Sequence, residues 1–276
     1  MLTRVDVSTP QGDLLSFQLD DEEASYLIQN VDGLDPVKAT ITSTAFAGLD
    51  GVQFQSARRE SRNIVITTGL NPNPLTETVR GLRNRLYAFF MPTTMVDLTL
   101  YDDEGPTVTI SGVVEDAPAP LFTQEPAMSI SIICPKPDFL DAATSHIGDG
   151  MTTSGTSGRA IYYLGTSKTG TVITLNVNRT MSDFSIYHQP PNDDLRQLDF
   201  SAPLLSGDVL TISSVTGDKG ITLNRGGTIS SLLYGKSPQS SWIELLPGSG
   251  NNVITFYATG AGVPYTLDYV ARYGGL

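Results

Sequence analysis

Hydrophobic and polar positions alternate with period two along most of the chain. Val37, Ala39, Ile41, Ser43 and Ala45 fall on one side of an extended segment, with Lys38, Thr40, Thr42 and Thr44 on the other. That spacing predicts a β-strand. Asp32-Gly33 and Asp50-Gly51 bracket it, and glycine supplies the positive φ that tight turns require. Val52 and Phe54 open a second strand, and the run NIVITT at 63–68 reads as a third. MVDLTLY (95–101) and TVTISGVV (107–114) flank the acidic turn DDEGP, which predicts a hairpin. In MSISIICP, Met128, Ile130, Ile132 and Cys134 share one face.

One segment changes period. Leu75, Val79, Leu82, Leu86 and Phe89 are spaced by four and three residues, the stripe of an amphipathic helix. Asn73 is placed to cap it, and Pro74 suits the first helical position. Gly81 within the stripe costs about 1 kcal/mol relative to alanine and marks a close contact.

Between 141 and 158 the text becomes DAATSHIGDGMTTSGTSG, short of apolar residues, which predicts a linker. About ten short strands follow, from AIYYLGT to YTLDYVA, with no convincing helical run. The expected architecture is mostly β in two domains. Residues 1–141 form a β-barrel or sandwich with one α-helix, 142–157 a linker, and 158–276 a β-sandwich of jelly-roll type.

Composition agrees with this division. The chain has 276 residues, 39% hydrophobic and 17% charged, with 26 Gly and 17 Pro. That length buries a substantial core. Net charge is −12 and unevenly spread. Residues 1–141 hold 9 Lys+Arg against 20 Asp+Glu, whereas 142–276 hold 8 against 9. An acidic surface repels phosphates, which argues against specific nucleic-acid binding. No apolar run approaches the roughly 20 residues that span a bilayer, and the first residues lack the apolar core of a signal peptide. Membrane association is not expected. The single Cys134 leaves no internal disulfide and points to a reducing compartment.

Candidate chemistry is sparse. His146 lies in the linker and His188 before a Pro-Pro turn, neither with metal-ligand spacing. GTSKTG (165–170) satisfies neither the phosphate-loop nor the nucleophile-elbow pattern. Asn178-Arg179-Thr180 matches a glycosylation acceptor, discounted without a secretion signal. The acidic runs at 20–25 and 102–106 lack calcium-loop spacing and read as solvated turns. No catalytic residue, cofactor site or metal site emerges.

The arginines stand out more. Arg58, Arg59 and Arg62 form one cluster, and Arg80, Arg83 and Arg85 another, within an otherwise acidic half. Arginine is enriched at interfaces and pairs bidentately with carboxylates. The clusters either meet acidic runs of a neighbouring subunit or pair within the chain, as Glu77 with Arg80 would. Trp242, the lone tryptophan, either packs on the sheet or stacks on a sugar ring.

Several of these stretches together resemble the distal tail proteins of long-tailed bacteriophages. The family's turn, strand, turn and strand opening is matched by Gly33-Leu34-Asp35-Pro36, Asp50-Gly51, Phe54 and Arg62-Asn63-Ile64. Its closing element resembles Cys134-Pro135-Lys136-Pro137-Asp138-Phe139. GDVLTIS (207–213) and WIELLPGSGNNVITF (242–256) are similar to the family's galectin-like domain. Val37 stands where a second proline is common, and two extra residues interrupt PGSGNN.

The resemblance implies a non-enzymatic structural protein of the virion. Its first domain would be a ring-forming belt with a projecting hairpin, six copies closing a ring whose contacts include Arg58, Arg59, Arg62, Arg80 and Arg83. The ring would join the tail tube protein to the baseplate hub, with an acidic lumen for DNA passage. The galectin-like domain would carry peripheral or receptor-binding proteins, and assembly would occur in the host cytoplasm. Two other readings remain open: a carbohydrate-binding adhesin using Trp242, and a tail-associated hydrolase.

Overall fold

The structure is a computed structural model that describes all residues except 1, 20, 22, 49, 121–124, 148–151, 154–156 and 261. The chain divides into two compact units: Met1–Ala142 with Tyr273–Leu276, and Ala143–Arg272. Both are built almost wholly of antiparallel strands.

The first unit begins with β1 (Leu2–Ser8), β2 (Leu14–Gln18) and β3 (Tyr26–Asp32). Next come β4 (Ala39–Thr44), β5 (Gln53–Arg59) and β6 (Arg62–Leu70). The helix α1 (Val79–Phe89) precedes β7 (Met95–Asp102), β8 (Val108–Asp116) and β9 (Ala127–Cys134). Finally, β10 runs Phe139–Ile147, so the boundary between units falls within it. The strands pair in the order β2-β1-β7-β8-β9-β6-β3, while β4 and β5 form a separate two-stranded sheet. Met128, Ile130, Ile132 and Cys134 all face the core, as the alternation requires.

The helix differs from expectation at its start. It begins at Val79, capped by Thr78, whose Oγ1 accepts from the Gly81 amide at 3.1 Å. Asn73 instead closes the preceding turn, taking the Leu75 amide on Oδ1 at 3.0 Å and the Glu77 amide on its carbonyl at 2.8 Å. Leu75 is consequently 92% exposed. The buried stripe is Leu82, Leu86 and Phe90, and the Tyr26 hydroxyl donates to the Leu82 carbonyl at 3.2 Å. Gly81 faces solvent, and its nearest neighbour is the capping hydroxyl. Thr78→Ala is therefore expected to lower stability by about 1 kcal/mol, read from the urea midpoint.

The second unit holds β11 (Arg159–Ile161), β12 (Thr169–Asn176), β13 (Met181–Gln189), β14 (Arg196–Leu204) and β15 (Val209–Ser213). It continues with β16 (Gly220–Arg225), β17 (Thr228–Ser231), β18 (Glu244–Leu245), β19 (Asn252–Ala258) and β20 (Tyr265–Tyr273). One sheet runs β17-β16-β15-β12-β20 and the other β11-β19-β13-β14. Their apolar faces meet in a core containing Ile173, Leu210, Phe184, Phe200 and Phe256, the two-layer arrangement expected of a sandwich. Phe184 and Phe200 stack with centroids 4.7 Å apart.

Two boundary expectations need correction. Residues 273–276, read as part of the second domain, belong to the first unit. There the Leu276 amide donates to the Leu34 carbonyl at 3.0 Å, and Gly275 lies against Pro36. The expected linker is also partly built into structure. Residues 143–147 continue β10, and Thr153 is 1% exposed, its amide donating to the Val263 carbonyl at 2.9 Å.

Candidate interaction surfaces

The hairpin β4–β5 is the segment least explained by its own fold. Among the described residues no other strand pairs with it, and every side chain in both strands is exposed except half-buried Thr44. The alternation of 37–45 therefore buries neither face. Ile41 is 65% exposed and Phe54 63%; Phe46 and Val52, in the connecting loop, are 51% and 65%. Gly48 and Gly51 turn that loop with φ of 81° and 90°. A register shift between Thr42 and Ser43 brings Ile41 opposite Ala57 and Ser43 opposite Phe54. Isolated two-stranded hairpins are marginal in water, and this one leaves its apolar side chains more than half exposed.

The first arginine cluster splits into three environments. Arg58 is exposed. Arg59 forms a bidentate pair with Asp138, Nη1–Oδ1 2.5 Å and Nη2–Oδ2 2.9 Å, and this hydrogen bonding raises its pKa above the ordinary arginine value. Arg62 is not a surface residue at all, being 1% exposed. Its Nε donates to the Pro137 carbonyl (2.8 Å), Nη1 to the carbonyls of Gly33 and Asp35 (2.7 Å for Asp35), and Nη2 to that of Gly274 (2.6 Å). The guanidinium also lies 4.2 Å from the Phe139 ring centroid. Gly33 must be glycine here: its φ is 87°, and a Cβ would strike the Asn63 carbonyl. In the second cluster Arg80 and Arg85 are exposed and Arg83 is half-buried.

Polar residues of the second unit that looked like motif text turn out to hold the fold. Asp208, 2% exposed, takes the Leu205 amide at 2.7 Å and two bonds from Arg225 at 2.8 and 2.6 Å. Hydrogen bonding from Arg225 keeps its carboxyl below the usual carboxylate range. Glu244 accepts from Lys168 at 3.0 Å and Lys219 at 2.7 Å. Burial pushes its pKa up, but the two ammonium groups outweigh that and the net shift is downward. Asn252 is fully buried and clasps Leu246 through both its amide and carbonyl, each at 3.0 Å. In GTSKTG, Ser167 and Thr169 bond to the carbonyls of Arg272 and Val270, and Gly170 packs against Ser214. That stretch is strand packing.

His146 pairs with Asp268, and His188 is fully buried against Asn252. Among the described residues no group of three or more His, Cys, Asp or Glu is arranged to hold a metal, and no helix is long and apolar enough to cross a membrane. The acidic run at 20–25 lies partly outside the described residues. Trp242 is half-buried, with the Lys236 ammonium 5.3 Å from its ring centroid. Sequence reading missed a cleft in the second unit, of about 400 Å³, bounded by β13, β14 and residues 234–238.

Comparison with known proteins bears on the fold. Residues 164–273 match the family model described as siphovirus-type tail component, C-terminal domain. The crystal structure of the SPP1 Dit (gp 19.1) protein aligns over 97% of this chain and 98% of that one, with a TM-score of 0.67 and 15% identity. Its published description calls it a paradigm of the hub adsorption apparatus in phages infecting Gram-positive hosts. Structures of the phage p2 baseplate in its activated conformation align at a TM-score of 0.46 and 8% identity. The one with Sr covers 99% of both chains and the one with Ca 100% of both. No curated protein matches the chain.

Proposed function

We propose that the chain is a distal tail protein, a non-catalytic ring protein of the tail tip, a reading supported by the tail-component family model matched over residues 164–273 and by the fold shared with SPP1 Dit. Six copies close the ring, with β4–β5 of each copy laid on its neighbour. The ring joins the tail tube to the baseplate hub, and the second unit carries peripheral or receptor-binding proteins.

The observation that carries this reading is the hairpin with its exposed apolar side chains. Burying an apolar side chain of this kind contributes about 1.5–3 kcal/mol, so Ile41, Phe46, Val52 and Phe54 offer enough to drive self-association. Head-to-tail contacts of this type close into rings when the rotation between copies closes. Arg58, Arg80 and Arg85 are exposed for complementary pairing, whereas Arg59 and Arg62 are already engaged within the chain. The excess of 20 acidic over 9 basic residues in 1–141 supports a lumen that repels DNA and lets it slide.

Native mass by light scattering after size exclusion, at low and moderate salt, tests the proposal. The unaltered chain is expected to form a hexamer. The double variant Ile41→Glu, Phe54→Glu is expected to be monomeric and still folded by circular dichroism, because neither side chain belongs to the core; its melting temperature falls only by what assembly contributed. A hexamer that survives both substitutions would sink the hairpin as the contact. An unaltered chain that stays monomeric at its highest soluble concentration counts against the ring itself.

A further inference from the structure

The cleft in the second unit lies outside the proposed ring contact. Its floor is formed by β13 and β14, where Asp183 pairs opposite Ser201 and Ser185 opposite Asp199. Side chains directly opposite share a face of the sheet, so two carboxylates and two hydroxyls alternate there. Its wall is the segment 234–238, tied to β14 by the Ser237 amide on the Asp199 carbonyl at 3.0 Å.

Both carboxylates are oriented in advance. Ser201 Oγ donates to Asp183 Oδ1 at 2.8 Å and Ser182 Oγ to Oδ2 at 2.6 Å. Hydrogen bonds from these serines hold the Asp183 carboxyl below the usual range, so it is an acceptor at neutral pH. Ser185 Oγ and Gln197 Nε2 both donate to Asp199 Oδ1, at 2.6 and 2.7 Å, and leave Oδ2 open. Among the described residues neither carboxylate has a salt-bridge partner. Lys236, the one cation lining the cleft, spends its ammonium on the carbonyls of Ser237 and Ser240 at 3.1 and 2.5 Å.

Tyr234 completes the site. It is 77% exposed at the rim, presented by the short 3-10 turn Leu233–Gly235. Gly235 lets that turn lie directly on Phe200, since a Cβ would fall 2.6 Å from the ring. The Phe200 ring is itself stacked on Phe184, so the tyrosine stands on a rigid base.

We propose that this cleft binds a neutral saccharide, whose vicinal hydroxyls bond Asp183, Asp199 and the serines while its apolar ring face stacks on Tyr234. A sugar hydroxyl both donates and accepts, and so matches alternating carboxylates and serine hydroxyls. A shallow, mostly pre-formed pocket with a few convergent polar groups is the usual form of a small-ligand site. An aromatic ring with one wet edge gives the apolar sugar face a partner. A cationic peptide would need only acceptors, and much of this acceptor capacity is already taken by the serines. Trp242, the tryptophan expected to stack on a sugar, does not line the cleft.

The test is titration calorimetry of the full chain with maltohexaose, cellohexaose and chitohexaose, each at 50 and 500 mM NaCl, with hexa-lysine as the charged comparison. At least one oligosaccharide is expected to bind with a Kd of about 1 mM or tighter, unchanged by salt. Asp199→Asn and Tyr234→Ala are each expected to weaken it about tenfold, with unchanged melting temperatures. Binding of none of the three sugars, or equal binding by both variants, overturns the proposal. So does hexa-lysine binding that disappears at high salt and in Asp199→Asn, which would make the cleft a polycation site. None of these results depends on whether the chain is hexameric.

Discussion

Replacing Arg62 by alanine is expected to destabilise the first unit by about 3–5 kcal/mol. The substitution removes one side chain but takes a donor from four carbonyls, on Gly33, Asp35, Pro137 and Gly274, in a site that is 1% exposed. It also removes the cation from the Phe139 ring. Burial, with repulsion from Arg59 adding to it, lowers the Arg62 pKa, yet arginine stays charged in proteins, so the fold must satisfy a buried cation and does so with backbone dipoles. Against a total stability of about 5–15 kcal/mol for a domain, the loss is severe. Urea unfolding followed by circular dichroism measures it, with Arg58→Ala as the comparison. Arg58 is exposed, and its loss is expected to move stability by no more than about 0.5 kcal/mol. Equal midpoints for the two variants would show that the clasp contributes nothing.

Arg62 also shows where a single sequence stops being legible. In SARRESR it is one of three arginines in a charged run, and local charge pattern is all that a linear reading has. Its acceptors lie at 33, 35, 137 and 274, brought together only by the folded chain. The same limit hid the cleft. Asp183 and Asp199 sit in strands that were correctly expected, but the register pairing Asp183 with Ser201 and Ser185 with Asp199 carries no local signal. Neither does the turn that sets Tyr234 beside them.

What was legible was whatever depends on neighbours along the chain. The buried face of Met128, Ile130, Ile132 and Cys134 follows from period two, and Leu82 and Leu86 from the helical period. The hairpin marks the edge of that logic. Alternation predicts a strand over 37–45, and the structure has one, but alternation implies a buried face only when something covers it. Ile41 and Phe54 remain exposed, and it is the proposed ring that would cover them. Asp208, Glu244 and Asn252 fall between the two cases. They were noticed as positions in motifs, but their work is hydrogen bonding inside the second unit.

Acid is expected to destabilise the second unit well before its carboxylates titrate, because of His188. Asn252 Oδ1 accepts from the Leu246 amide and its Nδ2 donates to the Leu246 carbonyl, so the backbone fixes which end of the amide is oxygen. The imidazole Nε2, 2.9 Å from that oxygen, must therefore be the donor. That leaves Nδ1 to take any further proton, and Nδ1 is buried with no acceptor among the described residues. Burial consequently lowers the His188 pKa. The Asn252 bond and Asp193 act in the opposite sense, and Arg196 adds to the lowering. Unfolding releases an ordinary imidazole with a pKa of about 6.5. Stability from this group is thus complete above pH of about 6.5 and falls as pH drops towards the lowered folded value, by up to about 1.4 kcal/mol per pH unit. The depressed carboxylates of Asp208 and Glu244 lose their contribution only below a pH of about 4. Melting temperatures between pH 7.5 and 5 measure the slope, and His188→Gln is expected to flatten it. Asn252→Ala orphans both Leu246 groups and the imidazole, and is expected to cost about 2–4 kcal/mol at pH 7.5. Because it also removes a bond that favours the protonated ring, the acid slope of that variant should persist to lower pH than in the unaltered chain. A His188→Gln variant with the original slope would place the acid sensitivity elsewhere.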